Sequence, residues 1–394
     1  VPENHRTSET FDLARLIYDD ARSMIQDGPN FADMLDLSFA GLEFERATGD
    51  GFAARDTFFE AIDLLRHYRD LPPWLYGGAA HAAWTAVQVS HSTGLPIRGL
   101  DGLDDMILGW IVDFPAREAV DLPSGLLGLG VYALGHPNAD VAEKMTAETV
   151  RAIERRVEHD DDGIFIRVAA TDFREIMKPH SIGQRDLGMA HGNAGLVAYL
   201  SRVTVSGLDS AGEAARLLRP ALSWLMRQRS ELGDALFPHT VESRYEPSRS
   251  AWCYGDPGVS LALAAAATAT GSGEADAMAR EAAAIVIARP SNRAKVVDSG
   301  LCHGAAGLCW YGRRAAQQWD LPGADRLSAY WVDYVRYERA QGPLHYLTAE
   351  GVTRRPSFLD GDLGVALALL QESTGQPAAW EDRLLGGPVT RASR

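Results

Sequence analysis

The sequence predicts an all-α protein built from repeated helical hairpins in two layers. Three observations lead there. A turn of small residues recurs along the 394-residue chain, and apolar runs follow it that lack a polar face. Such runs suit inner helices buried on all sides. Amphipathic segments lie between them and suit an outer layer.

The turn appears as Ser38-Phe-Ala-Gly41, Gly78-Ala-Ala-His81, Gly125-Leu-Leu-Gly128, Gly192-Asn-Ala-Gly195, Gly255-Asp-Pro-Gly258, Gly304-Ala-Ala-Gly307 and Gly361-Asp-Leu-Gly364. Successive copies are 40 residues (Ser38 to Gly78) to 67 residues (Gly125 to Gly192) apart, room for two helices and their loops. The first two copies depart from the pattern, with Ser38 and His81 in place of glycines. Small residues three apart also arise from close helix packing alone, so the repeat rests on the whole series and not on any one copy. Leu196–Leu200, Val259–Leu263 and Val365–Leu370 read as inner helices. Ala211–Glu231, with Arg216 and Arg219 set among Leu217, Leu218, Leu222 and Leu225, reads as an outer one. The whole chain, 1–394, is expected to form one domain. A small insertion is expected within 140–185, where Asp160–Gly163 is a turn signal and Ile164–Val168 reads as a strand.

A net charge of −15 argues against nucleic acid as a partner, although local basic pairs such as Arg354–Arg355 exist. Val1–Asp20 has no apolar signal core, and the apolar stretch Val259–Thr270 falls short of the ~20 residues that span a bilayer. A soluble, cytoplasmic protein without a membrane span is expected. Three cysteines in so long a chain make no disulfide framework and read as ligands, nucleophiles or core residues.

Two turns carry chemistry that packing does not explain. Cys253 stands two residues before Gly255, and Cys302 and His303 stand immediately before Gly304. Adjacent residues on a regular element point apart, so neighbouring ligands belong on the non-helical lead-in to a helix. Unpaired N–H groups and the dipole at such a helix start favour thiolates. Two thiolates and one imidazole with an open fourth position describe a catalytic zinc site. Taken singly, each residue has a plainer role, as a small buried cysteine or a capping histidine. Cys309 reads as core. His191, just before Gly192, is expected to face the same end as His303. Asp121 precedes Gly125 by four residues, and Arg249 and Tyr254 flank Cys253. His81, His136, His180 and His239 are assigned structural roles.

Together, His191–Gly195, Trp252–Gly258 and Cys302–Gly307 resemble the signature blocks of the lanthionine synthetase C-like family. The resemblance runs through essentially the whole chain. It implies an α/α toroid of seven inner and seven outer helices and one zinc ion per chain on Cys253, Cys302 and His303. His191, Asp121, Arg249 and Tyr254 match positions where the family keeps catalytic and supporting groups; the surroundings of Asp121 match more loosely. The implied reaction is intramolecular addition of peptide cysteine thiols to dehydroalanine or dehydrobutyrine, forming lanthionine and methyllanthionine rings. The implied substrate is a dehydrated precursor peptide, leader plus core. A separate dehydratase and a transporter are the implied partners, through which the chain would meet a membrane peripherally. Two rivals remain at this point: a prenyltransferase-like zinc toroid that alkylates protein thiols, and a noncatalytic peptide-binding protein of the same fold. A glycosidase would need paired carboxylates where this chain puts thiols and imidazoles.

Overall fold

The computed structural model describes residues 3–94, 96, 99–169, 182–209, 211–230, 233–348 and 351–389. In chain order the helices begin with α1 (Glu3–Asp27), α2 (Phe31–Thr48), α3 (Ala54–Leu65) and α4 (Ala79–Thr93). Next come α5 (Leu100–Val112), α6 (Leu126–Leu134), α7 (Ala139–Glu154) and a hairpin of β1 (Glu158–Asp160) and β2 (Gly163–Phe165). Then follow α8 (Asn193–Ser206), α9 (Glu213–Arg227), α10 (Asp256–Thr270) and α11 (Gly273–Ala288). The chain continues through α12 (Ala305–Trp319), α13 (Ala324–Gln341), β3 (Tyr346–Thr348), β4 (Gly351–Thr353), α14 (Asp362–Thr374) and α15 (Trp380–Arg383).

The chain forms two compact units. The first comprises residues 1–71, 85–98 and 295–378, and the second comprises 72–84, 99–294 and 379–394. In the second, α6, α8 and α10 are buried on every face along most of their length. Each packs on the helix that follows it, α7, α9 or α11, and α8 packs on both α6 and α10. The partner helices are one-sided. In α7 the buried residues Ala142, Met145, Thr149 and Ile153 fall on a single stripe. In α9, Leu217, Leu218, Leu222 and Leu225 are buried while Arg216 and Arg219 are exposed, as the sequence predicts.

The first unit repeats the arrangement. The buried helices α2, α12 and α14 pack side by side in the order α12, α14, α2. The outer partner of α14 is α1, from the other end of the sequence.

The glycine turns explain how so many helix starts are satisfied without side-chain caps. At Gly78, Gly125, Gly192, Gly304 and Gly361 the lead-in doubles back, so that the first helical N–H bonds a carbonyl seven residues earlier. Asn193 N–H donates to the Asp186 carbonyl at 2.9 Å, and Ala305 N–H to the Asp298 carbonyl at 3.0 Å. These contacts answer the orphan donors of a helix start. They also show why glycine is needed. Gly192 and Gly304 have negative φ, which any residue adopts, but a Cβ on either would overlap the aspartate six residues before it.

The expected first copy is different. Ser38 and Gly41 lie inside α2, where Ser38 Oγ donates to the Ala54 carbonyl at 2.7 Å and Gly41 faces Ala54 of α3. That pair of small residues reflects helix packing, not a turn.

In the expected insertion, residues 139–154 are α7, and the Asp160–Gly163 signal is the turn of the β1–β2 hairpin. The strand stops at Phe165, because Ile166 N–H turns to Asn193 Oδ1 and Val168 N–H to the Gln184 carbonyl. Residues 170–181, with His180, lie outside the described residues. The β3–β4 hairpin has no counterpart in the sequence reading.

Candidate metal centre and its neighbours

Every predicted site residue sits on a lead-in loop. Counted back from the glycine that starts the helix, Ala190, Cys253, Cys302 and Leu359 share the second position, and His191, Tyr254, His303 and Asp360 share the first. The second position is also where successive loops are stitched. Leu122 N–H donates to the Ala190 carbonyl at 2.9 Å, and Ala190 N–H to the Cys253 carbonyl at 3.4 Å. In the first unit, Leu301 and Cys302 N–H both donate to the Leu359 carbonyl, at 3.0 and 2.9 Å. A cysteine at this position is therefore held through its backbone.

In the second unit the structure brings His191 onto Asp121. Nδ1 lies 2.6 Å from Asp121 Oδ2, and Asp121, fully buried, also accepts Ser124 N–H at 3.0 Å. A carboxylate at that distance places a proton on Nδ1 and leaves proton exchange to Nε2. Tyr254 stacks on His191, with ring centroids 5.9 Å apart, and its hydroxyl donates to Asp186. Burial pushes the Asp186 carboxyl up to about 7, against the pull of Gly188 N–H and His191. Arg249 contributes its backbone, whose N–H donates to His239 Nε2 at 3.0 Å. Its guanidinium has no hydrogen bond or ion pair to a described residue. The sequence reading did not name Asp186, and it gave His239 a structural role.

In the first unit His303 lies between two carboxylates. Nε2 is 3.5 Å from Asp298 Oδ2, and Nδ1 is 3.5 Å from Asp360 Oδ1. Burial alone would raise Asp298, but His303 and the N–H groups of Gly300 and Leu347 hold it below the usual carboxylate range. Cys302 and His303 occupy a non-helical turn, as adjacent ligands require. The expected unpaired N–H groups behind them are not there. Those of Ala305, Ala306 and Gly307 bond the carbonyls of Asp298, Ser299 and Gly300, because the lead-in folds back over the helix start. Cys309 is buried within α12, its thiol pushed up by burial and 3.5 Å from Ser328 Oγ, a core residue.

The donor atoms of Cys253, Cys302 and His303 all lie within 4.8 Å of one another, and no fourth His, Cys, Asp or Glu of the described residues joins them. Tetrahedral zinc holds sulfur and nitrogen ligands about 3.5–4 Å apart, so small side-chain adjustments would close this set on one ion.

The model of the lanthionine synthetase C-like proteins matches residues 48–385. The chain belongs to that family. Among solved structures, a nisin cyclase matches with a TM-score of 0.74 at 17% identity, covering 95% of this chain and 97% of that one. The match shows the fold, the α/α toroid implied by the sequence resemblance. An inactive variant of an α-1,6-mannanase from a Salegentibacter species matches at a TM-score of 0.45 and 13% identity, over 88% of this chain and 89% of that one. No curated protein sequence matches the chain. Among the described residues no helix is long and apolar enough to cross a membrane.

Proposed function

We propose that the chain is a zinc-dependent lanthipeptide cyclase, adding peptide cysteine thiols to dehydroalanine or dehydrobutyrine within one precursor peptide. The observation that carries the reading is the close set of Cys253, Cys302 and His303 in a member of this family. The donor set fits zinc: two sulfurs and one imidazole, with no fourth ligand from the described residues. The chemistry a zinc ion supplies when bound there is deprotonation of an incoming thiol, whose free pKa is near ~8.5.

The chain's own residues account for the remaining steps. Asp298 lies beside Nε2 and Asp360 beside Nδ1 of His303, and the carboxylate on the nitrogen that does not hold the metal would set the ring's orientation. Addition of sulfur to the alkene gives an enolate, which takes a proton at its α-carbon. His191 donates that proton from Nε2, and Asp121 on Nδ1 fixes the ring and steadies its cationic form. Tyr254 packs on the His191 face and limits its rotation. Arg249, whose guanidinium has no hydrogen bond or ion pair among the described residues, is suited to the substrate carbonyl on which negative charge develops. The substrate is a dehydrated leader-plus-core peptide, and a separate dehydratase and a transporter are the proposed partners in a cytoplasmic, peripherally membrane-associated assembly.

Alkylation followed by mass spectrometry tests the reading. Cyclisation removes free thiols from a dehydrated peptide without changing its mass. Wild type should do this and Cys302→Ala should not. Added mass would mean a prenyltransferase-like alkylation, and unaltered thiols with wild type would mean a noncatalytic peptide binder.

A further inference from the structure

His239 belongs to no glycine turn, and nothing in its sequence setting marks it. In the structure it is held at two points. Its carbonyl accepts Leu187 N–H at 3.0 Å, and its ring Nε2 accepts Arg249 N–H at 3.0 Å. The neighbouring Thr240 forms an antiparallel bridge with Asp186. The segment after α9 is thus strapped to the His191 lead-in by its backbone and to the Cys253 lead-in by its imidazole.

The ring so fixed lies flat on Tyr254, with centroids 5.5 Å apart and planes only 9° from parallel. Tyr254 in turn lies on His191, at 5.9 Å and 27°. Tyr254 is thus stacked with both His239 and His191, and Asp121 holds the His191 ring at Nδ1. Asp186 fixes the middle ring by its hydroxyl. A hydroxyl contact alone lets a phenol ring swing about its long axis; a ring stacked parallel to it removes that freedom.

We propose that His239 is a positioning residue for His191, acting through Tyr254. Its role is to fix the plane of Tyr254, and thereby the direction in which His191 Nε2 points. The proposal rests on the catalytic reading of His191 given above. Misorienting a proton donor lowers turnover while leaving binding largely intact.

The test combines steady-state cyclisation of a dehydrated peptide, zinc analysis and NMR of ¹³C-labelled histidine rings, on the full chain. His239→Ala should lower kcat about tenfold, leave KM and zinc content unchanged, and shift the His191 ring resonance. His239→Phe keeps a flat plate and should restore both kcat and the resonance. If His239→Ala loses its thermal transition, His239→Leu replaces it, filling the space without a flat ring. An unmoved His191 resonance overturns the proposal whatever the activity. So does unchanged kcat in His239→Ala when His191→Asn is inactive. If His191→Asn itself keeps full activity, the catalytic reading fails, and the resonance still decides whether His239 positions that ring.

Discussion

The turns before α8 and α12 are near copies. One reads Asp186-Leu-Gly-Met-Ala-His-Gly192 and the other Asp298-Ser-Gly-Leu-Cys-His-Gly304. In both, the aspartate Oδ1 accepts the N–H two residues on, at 2.6 and 2.8 Å, and its carbonyl accepts the first helical N–H. In both, the histidine precedes the glycine. Yet one histidine is paired with Asp121 from the preceding turn, and the other stands between Asp298 and Asp360 with a cysteine beside it. The two aspartates have also parted: burial lifts Asp186 to about 7, while His303 and two N–H groups keep Asp298 low. On the proposed reading, one backbone device presents a proton donor in one copy and a metal ligand two copies on. Of the three positions at which the two turns differ, only Ala190 against Cys302 changes a potential metal donor; the rest of the difference lies in the neighbours each loop meets.

The largest expected effect separates those two roles. His303→Ala should abolish cyclisation and His191→Asn should lower it strongly, in thiol counting on a dehydrated peptide. Next, Asp121→Asn should lower kcat about 10–100-fold without moving KM, because the His191 ring loses the partner that fixes its proton. An Asp121→Asn enzyme at full rate would break the distinction, since His191 would then need no orienting group.

The shared scaffold is tested by Gly192→Ala and Gly304→Ala. An added Cβ would overlap the aspartate backbone and carboxylate in each. Each should therefore cost about 2 kcal/mol or more in urea unfolding, with similar penalties. A mild effect at either glycine would show that the two loops are not held alike.

The smallest effect concerns the turn before α14, where Asp362 follows the glycine as Asn193 and Ala305 do in the other two. Burial raises the Asp362 carboxyl from 3.8 to about 7, opposed by the Tyr346 hydroxyl. The folded state therefore holds a proton that the unfolded chain has released, and stability falls as pH rises through that window. Between pH 6 and 8 the loss from this group is about 1.4 kcal/mol. Asp362→Asn should remove that share of the slope from the urea-midpoint profile and leave the share of Asp186, which is raised to the same range.

Much of this was legible in the sequence because glycine leaves a sharp mark. From Gly78 onward the turns lie where they are read, since each must admit a carbonyl against its α-carbon. Ser38 and Gly41 misled because tight packing of α2 on α3 selects the same small residues. The β3–β4 hairpin went unread although β1 and β2 are no longer, at three residues each, because no turn signal like Asp160–Gly163 marks it in the sequence. Asp186 could have been found by setting its turn beside that of Asp298. His239 could not, because its importance comes from a loop outside the repeat that reaches Tyr254 only in the fold.

Zinc analysis on three proteins tests the central claim most directly: wild type, His303→Ala and His191→Ala. The account predicts about one zinc per chain in wild type and in His191→Ala, and little or none in His303→Ala. Retention of the metal by His303→Ala, or its loss from His191→Ala, would contradict it.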